Sequence, residues 1–241
     1  TADPLHAMQV LYQLSYGPTN KPYLNIIRIN NACYFDIVLL IIFLINYKLN
    51  IYMSMNWACL KQQKFNFGSY SLIPIQREHI ESIRIYRNEQ LNILRQNSPI
   101  TFKQQKLYFS EQVWPLMPKK NPPNILMSFL YKDQLIGYGG LVHISWENLR
   151  AELSFLVSHN RANKKDQYSM DFRAFLNLIK ELAFSDLEFH RLFTETFDND
   201  QRVNHIKILE EFGFKREGIM MDHVKINNKF SNSIFHGLIR G

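Results

Sequence analysis

The stretch His205–Phe230, HIKILEEFGFKREGIMMDHVKINNKF, decides the fold of this chain. It opens within a short amphipathic helix, because apolar residues recur every three positions with charged residues between them; these are Val203, Ile206, Leu209 and Phe212. Gly213 is predicted to end that helix, since glycine tolerates the left-handed conformation of a helix cap. Asn227-Asn228 separates two alternating runs and predicts a tight turn. The stretch is therefore typical of a helix followed by a β-hairpin.

Similar patterns upstream of this stretch predict further strands and helices from residue 67 onward. Thr101 and Gln104 match a capping box, in which a hydroxyl and an amide satisfy each other's backbone donors at a helix start. Strands and helices alternate only in the second half, so we predict an α/β (α+β) fold with a mixed sheet. The other predicted elements are strands 69–75, 125–131, 134–144, 150–157 and 189–197 and helices 76–87, 88–96 and 172–183.

Three glycines, Gly137, Gly139 and Gly140, lie inside one of these strand patterns. A nucleotide-binding loop would place a helix directly after them, and none is predicted there. We therefore expect a β-bulge or a close approach between neighbouring backbones.

The C-terminal stretch and the segment Leu135-Ile-Gly-Tyr-Gly-Gly-Leu141 resemble the GCN5-related N-acetyltransferases (GNAT). The resemblance covers residues 70–239, and its nearest branch holds ribosomal-protein N-terminal acetyltransferases and amino-sugar nucleotide acetyltransferases. It implies the acyl-CoA N-acyltransferase fold, a mixed, mostly antiparallel central sheet flanked by helices. It also implies acetyl-coenzyme A (acetyl-CoA) as co-substrate.

The resemblance implies a cofactor site in a splay between two parallel strands, the first of them being 151–157. A turn opening the next helix would then hold the pyrophosphate with free backbone N–H groups. Family members supply Gln/Arg-x-x-Gly-x-Gly/Ala there, whereas this chain has Arg161-Ala-Asn-Lys-Lys-Asp-Gln167, without glycine. Either side-chain charge replaces the glycines or the segment is an ordinary solvated turn. The implied binding residues are Leu156, Val157, Ser158, Arg161, Asn163, Lys164, Lys165, Asn204 and His205.

Acyl transfer to an amine requires a group that removes a proton from the ammonium. Glu152 is the first candidate, because it lies on the strand beside the expected thioester; the alternative is an exposed strand glutamate. His143, at the end of the preceding strand, and Glu195, on the second splayed strand, are the other catalytic candidates. Leu209 stands where many family members have a tyrosine acid, so a tyrosine acid is excluded there.

Composition and charge restrict the partners of the chain. The 241 residues carry a net charge of +7 with a pI near 9.3, which favours an anionic ligand or surface; the alternative is an ordinary basic, solvated surface. Lys and Arg form no dense stripe with aromatic residues, so nucleic-acid binding is not predicted. Cys33 and Cys59 form neither a metal motif nor a disulfide framework, so we expect no metal and a cytoplasmic location.

The first 66 residues differ from the rest and are predicted to be an N-terminal extension before an acetyltransferase domain at 67–241. The run Ile37–Ile45 is unbroken apolar sequence, but a bilayer span takes about 20 residues. Three interpretations stay open: a membrane anchor, an element added to the domain, or a non-native upstream segment. Membrane association is expected only through this run.

Together these observations predict an acetyl-CoA-dependent N-acetyltransferase acting on a primary amine of a small molecule. A nucleotide sugar carrying an amino group is the first candidate acceptor, because the resemblance points to surface-sugar biosynthesis. The alternatives are a protein N-terminal acetyltransferase of the ribosomal-protein type and a catalytically degenerate CoA-binding module. The oligomeric state, monomer or homodimer, stays open.

Overall fold

An eight-stranded mixed sheet organises the computed structural model, which describes residues 55–94, 96, 98–226 and 228–241. The strand order is β1-β2-β3-β4-β5-β6-β8-β7, and only β5 and β6 run parallel. The strands are β1 Phe65–Phe67, β2 Tyr70–Pro74, β3 Ile125–Tyr131, β4 Gln134–Ser145, β5 Arg150–Val157, β6 Arg191–Phe197, β7 Lys215–Ile226 and β8 Lys229–Ile239. The predicted fold class, a mixed and mostly antiparallel sheet flanked by helices, is confirmed.

The helices connect these strands in the predicted order. They are α1 Ile80–Asn88, α2 Phe102–Tyr108, α3 His159–Ala162, α4 Lys165–Lys180 and α5 Val203–Phe212, with π-helical turns at Phe109–Val113 and Glu181–Asp186. The capping box of Thr101 and Gln104 opens α2 as predicted. Gly213, at φ +113°, ends α5 as predicted.

The predicted second helix at 88–96 is wrong. A short 3₁₀ turn, Leu91–Ile93, occupies this segment instead. Gln90 leaves the helical conformation, with φ −133° and ψ 38°, and its buried amide donates to the carbonyls of Tyr86 and Val157. The first bond satisfies a backbone carbonyl in the last turn of α1, and the second joins the end of this helix to β5. The helix therefore ends here and the chain turns.

The core lies between α4 and the sheet and is rich in aromatic rings. Phe172 and Phe175 of α4 pack on Phe155 of β5 with ring centroids 4.7 Å apart, and Phe175 also contacts Phe129 at 5.4 Å. The apolar stripe read from the sequence is therefore the buried face of α4.

Residues 55–66, which the sequence analysis assigned to the extension, pack into the same core. Trp57 is fully buried, and its indole Nε1 donates to the Leu126 carbonyl at 2.9 Å. The rest of that extension, including Cys33 and the run Ile37–Ile45, lies outside the described residues. Within the described residues, no helix is long and apolar enough to cross a membrane.

The strand glycines allow close contact between neighbouring backbones, as predicted. A Cβ atom at Gly139 would collide with the Ser154 carbonyl oxygen, and one at Gly140 would collide with that of Ile125. Gly140 also has φ +142°, which a residue with a side chain rarely adopts. The last residue pair of the β7–β8 hairpin is Ile226 with Lys229. The turn predicted at Asn227-Asn228 lies between them, and Asn227 is outside the described residues.

Candidate active site

The parallel strands β5 and β6 pair only at their first residues and then separate. The paired positions are Arg150 with Arg191, Ala151 with Leu192 and Glu152 with Phe193. Beyond them β5 stays hydrogen-bonded to β4 and β6 stays hydrogen-bonded to β8. The facing edges of β5 and β6 are therefore left open, which forms the splay predicted from the sequence.

A cleft opens at this splay, and all three predicted catalytic residues line it. Glu152 lies at the last paired position of β5, and its Oε2 is 2.6 Å from Nδ1 of His143. The Glu152 side chain is only 12% exposed, whereas that of His143 is 64% exposed. The pair can hold and move a proton between a sheltered carboxylate and an imidazole that water reaches.

His143 reaches Glu152 because β4 is irregular at this point. The pairing of β4 with β5 shifts register between Val142 and Ser145, and His143 has φ +48°. Non-glycine residues seldom adopt positive φ, although histidine does so more readily than most. A bulge of this kind re-aims a side chain, and here it turns the imidazole onto the neighbouring strand.

Glu195 lines the same cleft from β6, on the opposite side of the splay. Its side chain is 11% exposed, and its Oε1 lies 3.6 Å from Nε2 of His223 in β7. Two carboxylates, each beside a histidine, therefore face one cleft. An ammonium group entering it would be attracted to both.

Thr196 follows Glu195 on β6 and also lines the cleft, although no sequence pattern indicated it as a site residue. Its Oγ1 is buried, with no hydrogen-bond partner in the part of the chain that the structure describes. A buried hydroxyl without a partner is costly, so it marks a place where a ligand can bond. Strand alternation alone gave no signal to separate it from neighbouring threonines.

His205, a predicted cofactor contact, is buried on the first turns of α5 and lines the cleft. Its Nδ1 is 2.7 Å from the Tyr168 hydroxyl, and its ring stacks on Phe172 at 4.2 Å. Burial, aided by the charge of Arg202, holds its pKa well below the usual value of 6.5. The imidazole is therefore neutral, and burial raises the pKa of Tyr168 to about 12.

A second cavity adjoins the cleft where α4 and α5 begin. Lys165 and Arg202 line it, together with the predicted cofactor residues Asn163 and Asn204. The N-termini of two helices meet here, so backbone N–H groups, helix dipoles and two cations favour an anion, whereas the Glu89 carboxylate on the same lining opposes one. Asn163 Nδ2 lies 2.8 Å from His159 Nε2, and Asn204 Nδ2 donates to Ser169 Oγ at 3.1 Å.

The missing glycines have a structural explanation. Ser158 precedes α3, Asn163 is helical with φ −78°, and Lys164 is extended with φ −102°. Within 158–167, all of them described, no residue has positive φ. The turn into α4 therefore does not need glycine, and the side chains of Lys164 and Lys165 are exposed beside it.

Arg161 is engaged elsewhere. Its Nε and Nη2 each donate to the Asp171 carboxylate at 2.7 Å, and its guanidinium lies over the ring of Tyr131. Asp171 is fully buried and also accepts from Gln167 and Tyr70. This geometry gives the Arg161 side chain a structural partner; its contact with the pyrophosphate stays a prediction that the geometry does not favour.

The predicted strand residues Leu156 and Val157 have buried side chains. Only their backbone groups can contact a cofactor, and the Val157 carbonyl already accepts a hydrogen bond from Gln90.

Leu209 is fully buried in the core, which agrees with the exclusion of a tyrosine acid at that position. The His, Cys, Asp and Glu residues in the described ranges form no cluster that could hold a metal ion.

A third cavity, of about 460 Å³, lies between the sheet and the α1–α2 region. It shares Arg87, Val142 and Ser154 with the cleft, so the two spaces adjoin. A molecule of modest size bound here would have access to the splay.

The fold and the splayed strands match one known family. A family model described as an acetyltransferase (GNAT) domain matches residues 75–235. The chain belongs to the GNAT acetyltransferase family. It is therefore an acetyl-CoA-dependent N-acetyltransferase of the GNAT type. The family predicted from the sequence is confirmed, whereas the branch within it stays a prediction.

Solved GNAT structures share this fold at low identity. A spermidine N-acetyltransferase from Vibrio cholerae, in complex with CoA and spermine, has a TM-score of 0.62 at 15% identity, covering 72% of this chain and 96% of that one. A mutant spermidine/spermine N-acetyltransferase from the same organism has a TM-score of 0.58 at 18% identity, covering 72% and 95%. A probable acetyltransferase has a TM-score of 0.56 at 16% identity, covering 73% and 96%. A search of curated proteins gives no significant match.

Proposed function

We propose that this GNAT enzyme transfers the acetyl group of acetyl-CoA to the primary amine of a small molecule, with Glu152 as the base. The observation that carries the proposal is the Glu152–His143 pair, 2.6 Å apart, at the point where β5 and β6 separate. The carboxylate is sheltered but within the cleft, which suits a group that takes a proton from an ammonium. His143 then passes that proton to water, since its ring is exposed.

The residues present fit acetyl-CoA. Its pantetheine arm would lie along the open edge of β5, and its phosphates would lie where Lys165 and Arg202 meet the N-termini of α4 and α5. The unpartnered Thr196 hydroxyl supports a polar contact inside the splay, where it can donate to a carbonyl oxygen. Asn204 and His205 complete the expected contacts near the start of α5.

In the proposed reaction the amine nitrogen attacks the thioester carbonyl carbon directly. A C–N bond forms and the C–S bond breaks, so the products are an acetamide and the CoA thiol. The ammonium loses one proton to Glu152 before attack, and the nitrogen loses a second proton to water as the C–S bond breaks. Glu195 attracts the ammonium from the other side of the splay. The thiolate takes its proton from water, because Leu209 offers none.

An amino-sugar nucleotide is the proposed acceptor. Its support is the family resemblance of the sequence and the net charge of +7, which suits a phosphate-bearing molecule. The Vibrio cholerae relatives are named for spermidine, but at 15% and 18% identity they carry only the fold. We further propose that residues 67–241, together with the segment 55–66 that packs into the same core, form the catalytic domain in the cytoplasm, as a monomer or homodimer.

The test measures CoA thiol release by the wild-type enzyme and by Glu152→Gln, with an amino-sugar nucleotide and with a peptide amine. We expect the substitution to lower kcat by about 10²–10⁴-fold without changing acetyl-CoA affinity. Glu147→Gln is the matched control, since it removes an exposed carboxylate from the turn between β4 and β5. Acetyl-CoA binding without thiol release for any amine would refute the proposal and favour a CoA-binding module.

A further inference from the structure

The third cavity, of about 460 Å³, lies beside the cleft at the splay. Its charge is not the one expected for a site that binds an ammonium group. Its described lining contains one charged side chain, that of Arg87, and no aspartate or glutamate. The other polar groups are neutral amides and hydroxyls, including those of Gln96, Gln104 and Tyr138. Burial raises the pKa of Tyr108, so it too is neutral. The cavity therefore presents a positive charge to whatever enters it.

Arg87 is held in place by neutral partners. It lies in the last turn of α1, where its Nε donates to Gln96 Oε1 at 2.9 Å and its Nη1 donates to the Tyr138 hydroxyl at 2.5 Å. In the described part of the chain, its Nη2 has no hydrogen-bond partner and no carboxylate pairs with it. The guanidinium is thus oriented from two sides, and no carboxylate of the described residues lies within ion-pair distance of it.

Arg87 differs in this respect from half of the ten arginines in the described ranges. Five of them pair with carboxylates: Arg84 with Glu81, Arg161 with Asp171, Arg173 with Glu211, Arg191 with Glu217 and Arg216 with Glu210. Arg87 is half-buried and faces both the cavity and the cleft instead. A fixed guanidinium fork with free donors matches a carboxylate or phosphate group.

We propose that Arg87 anchors an oxyanion of the acceptor, a carboxylate or a phosphate carried by the same small molecule as the reacting amine. This proposal rests on the proposed function and defines its substrate class. The anion lies on the Arg87 side while the amine points through the shared wall of Val142 and Ser154 toward Glu152. A polyamine would instead bring a second positive charge against Arg87, which is unfavourable in a partly buried site.

The test uses acceptors that differ in their anion: an aminohexose, its phosphate ester, a nucleotide-linked aminohexose, an α-amino acid and spermidine. We expect kcat/KM for at least one anionic acceptor to exceed that for the aminohexose and spermidine by about tenfold or more. A preference for the two phosphorylated sugars identifies phosphate as the anchored group, and a preference for the amino acid identifies carboxylate.

Arg87→Gln should raise KM for the anionic acceptor by about 10–100-fold, lower kcat little and leave acetyl-CoA affinity unchanged. Arg87→Lys keeps the charge but loses the fork, so it should recover only part of the loss. Arg84→Gln is the matched control, because it removes the same charge from the same helix outside the cavity. Thermal melts of each variant separate misfolding from lost recognition.

Two results would overturn the proposal while leaving the proposed function intact. One is spermidine or the aminohexose acting as well as every anionic acceptor. The other is Arg87→Gln lowering kcat/KM equally for all acceptors. Absence of thiol release with every amine, although acetyl-CoA binds, would instead refute the proposed function, and this proposal with it.

Discussion

Replacing Arg161 by alanine should lower the stability of the folded enzyme rather than its affinity for acetyl-CoA. The guanidinium makes two hydrogen bonds of 2.7 Å to Asp171, whose side chain is completely buried. Without Arg161, the buried carboxylate keeps, among the described residues, the amide of Gln167 at 2.9 Å and the hydroxyl of Tyr70 at 3.0 Å. A buried charge left without its counter-ion is strongly destabilising.

The expected loss can be estimated from this geometry. Removing one partner of a buried ion pair costs about 3–5 kcal/mol. The lower end applies here, because the Arg161 side chain is 21% exposed and two neutral donors remain on Asp171. A loss of about 3 kcal/mol corresponds to a fall in Tm of roughly 6–12 °C for a domain of this size.

The assay combines thermal unfolding with calorimetry of acetyl-CoA binding at a temperature where each variant is folded. The double variant Arg161→Ala with Asp171→Asn should be more stable than Arg161→Ala alone, because the charge is removed with its partner. Lys165→Ala, in the same turn but exposed, should change stability by less than about 0.5 kcal/mol yet weaken acetyl-CoA binding. An Arg161→Ala protein that melts like wild type but loses acetyl-CoA would refute this reasoning.

Three other substitutions test the structure further. Gly140→Ala should cost more than about 2 kcal/mol in thermal unfolding, because φ is +142° and the Cβ atom would collide with the Ile125 carbonyl. Thr196→Val should leave stability unchanged or raise it by up to about 1 kcal/mol, yet lower kcat/KM for acetyl-CoA. His205 stays neutral when folded but is protonated when unfolded below pH 6.5, so the wild-type protein loses stability as the pH falls below that value; denaturant unfolding of His205→Gln should show a smaller loss of stability between pH 7 and pH 5.

Most of the fold could be predicted from the sequence, because its elements are set by local chemistry. The capping box at Thr101, the glycine stop at Gly213 and the strand at 150–157 each depend on residues close together in the chain. The wrong helix at 88–96 shows the limit of such patterns. Gln90 ends α1 by reaching Val157, a partner 67 residues away that no local pattern reveals.

The residues of the candidate site were harder to assign than the strands that carry them. Arg161 occupies the position where the family has a phosphate contact, but Asp171 holds its guanidinium. An acidic residue directly before the apolar stripe of α4 was the available signal, since a buried aspartate needs a partner. Arg87 gave no such signal, because its neighbour Tyr138 lies on a different element 51 residues later.

The histidines beside the two cleft carboxylates show why strand patterns alone could not define the site. Prediction from alternation assumes that residues two apart share a face of the sheet, and an inserted residue breaks that assumption. His143 follows the register shift in β4, and His223 lies within the shift between Met220 and Val224 of β7, next to Asp222 at φ +47°. Each irregularity brings an imidazole to a glutamate on another strand, so the chemistry of the cleft depends on departures from the regular sheet that the sequence otherwise predicts.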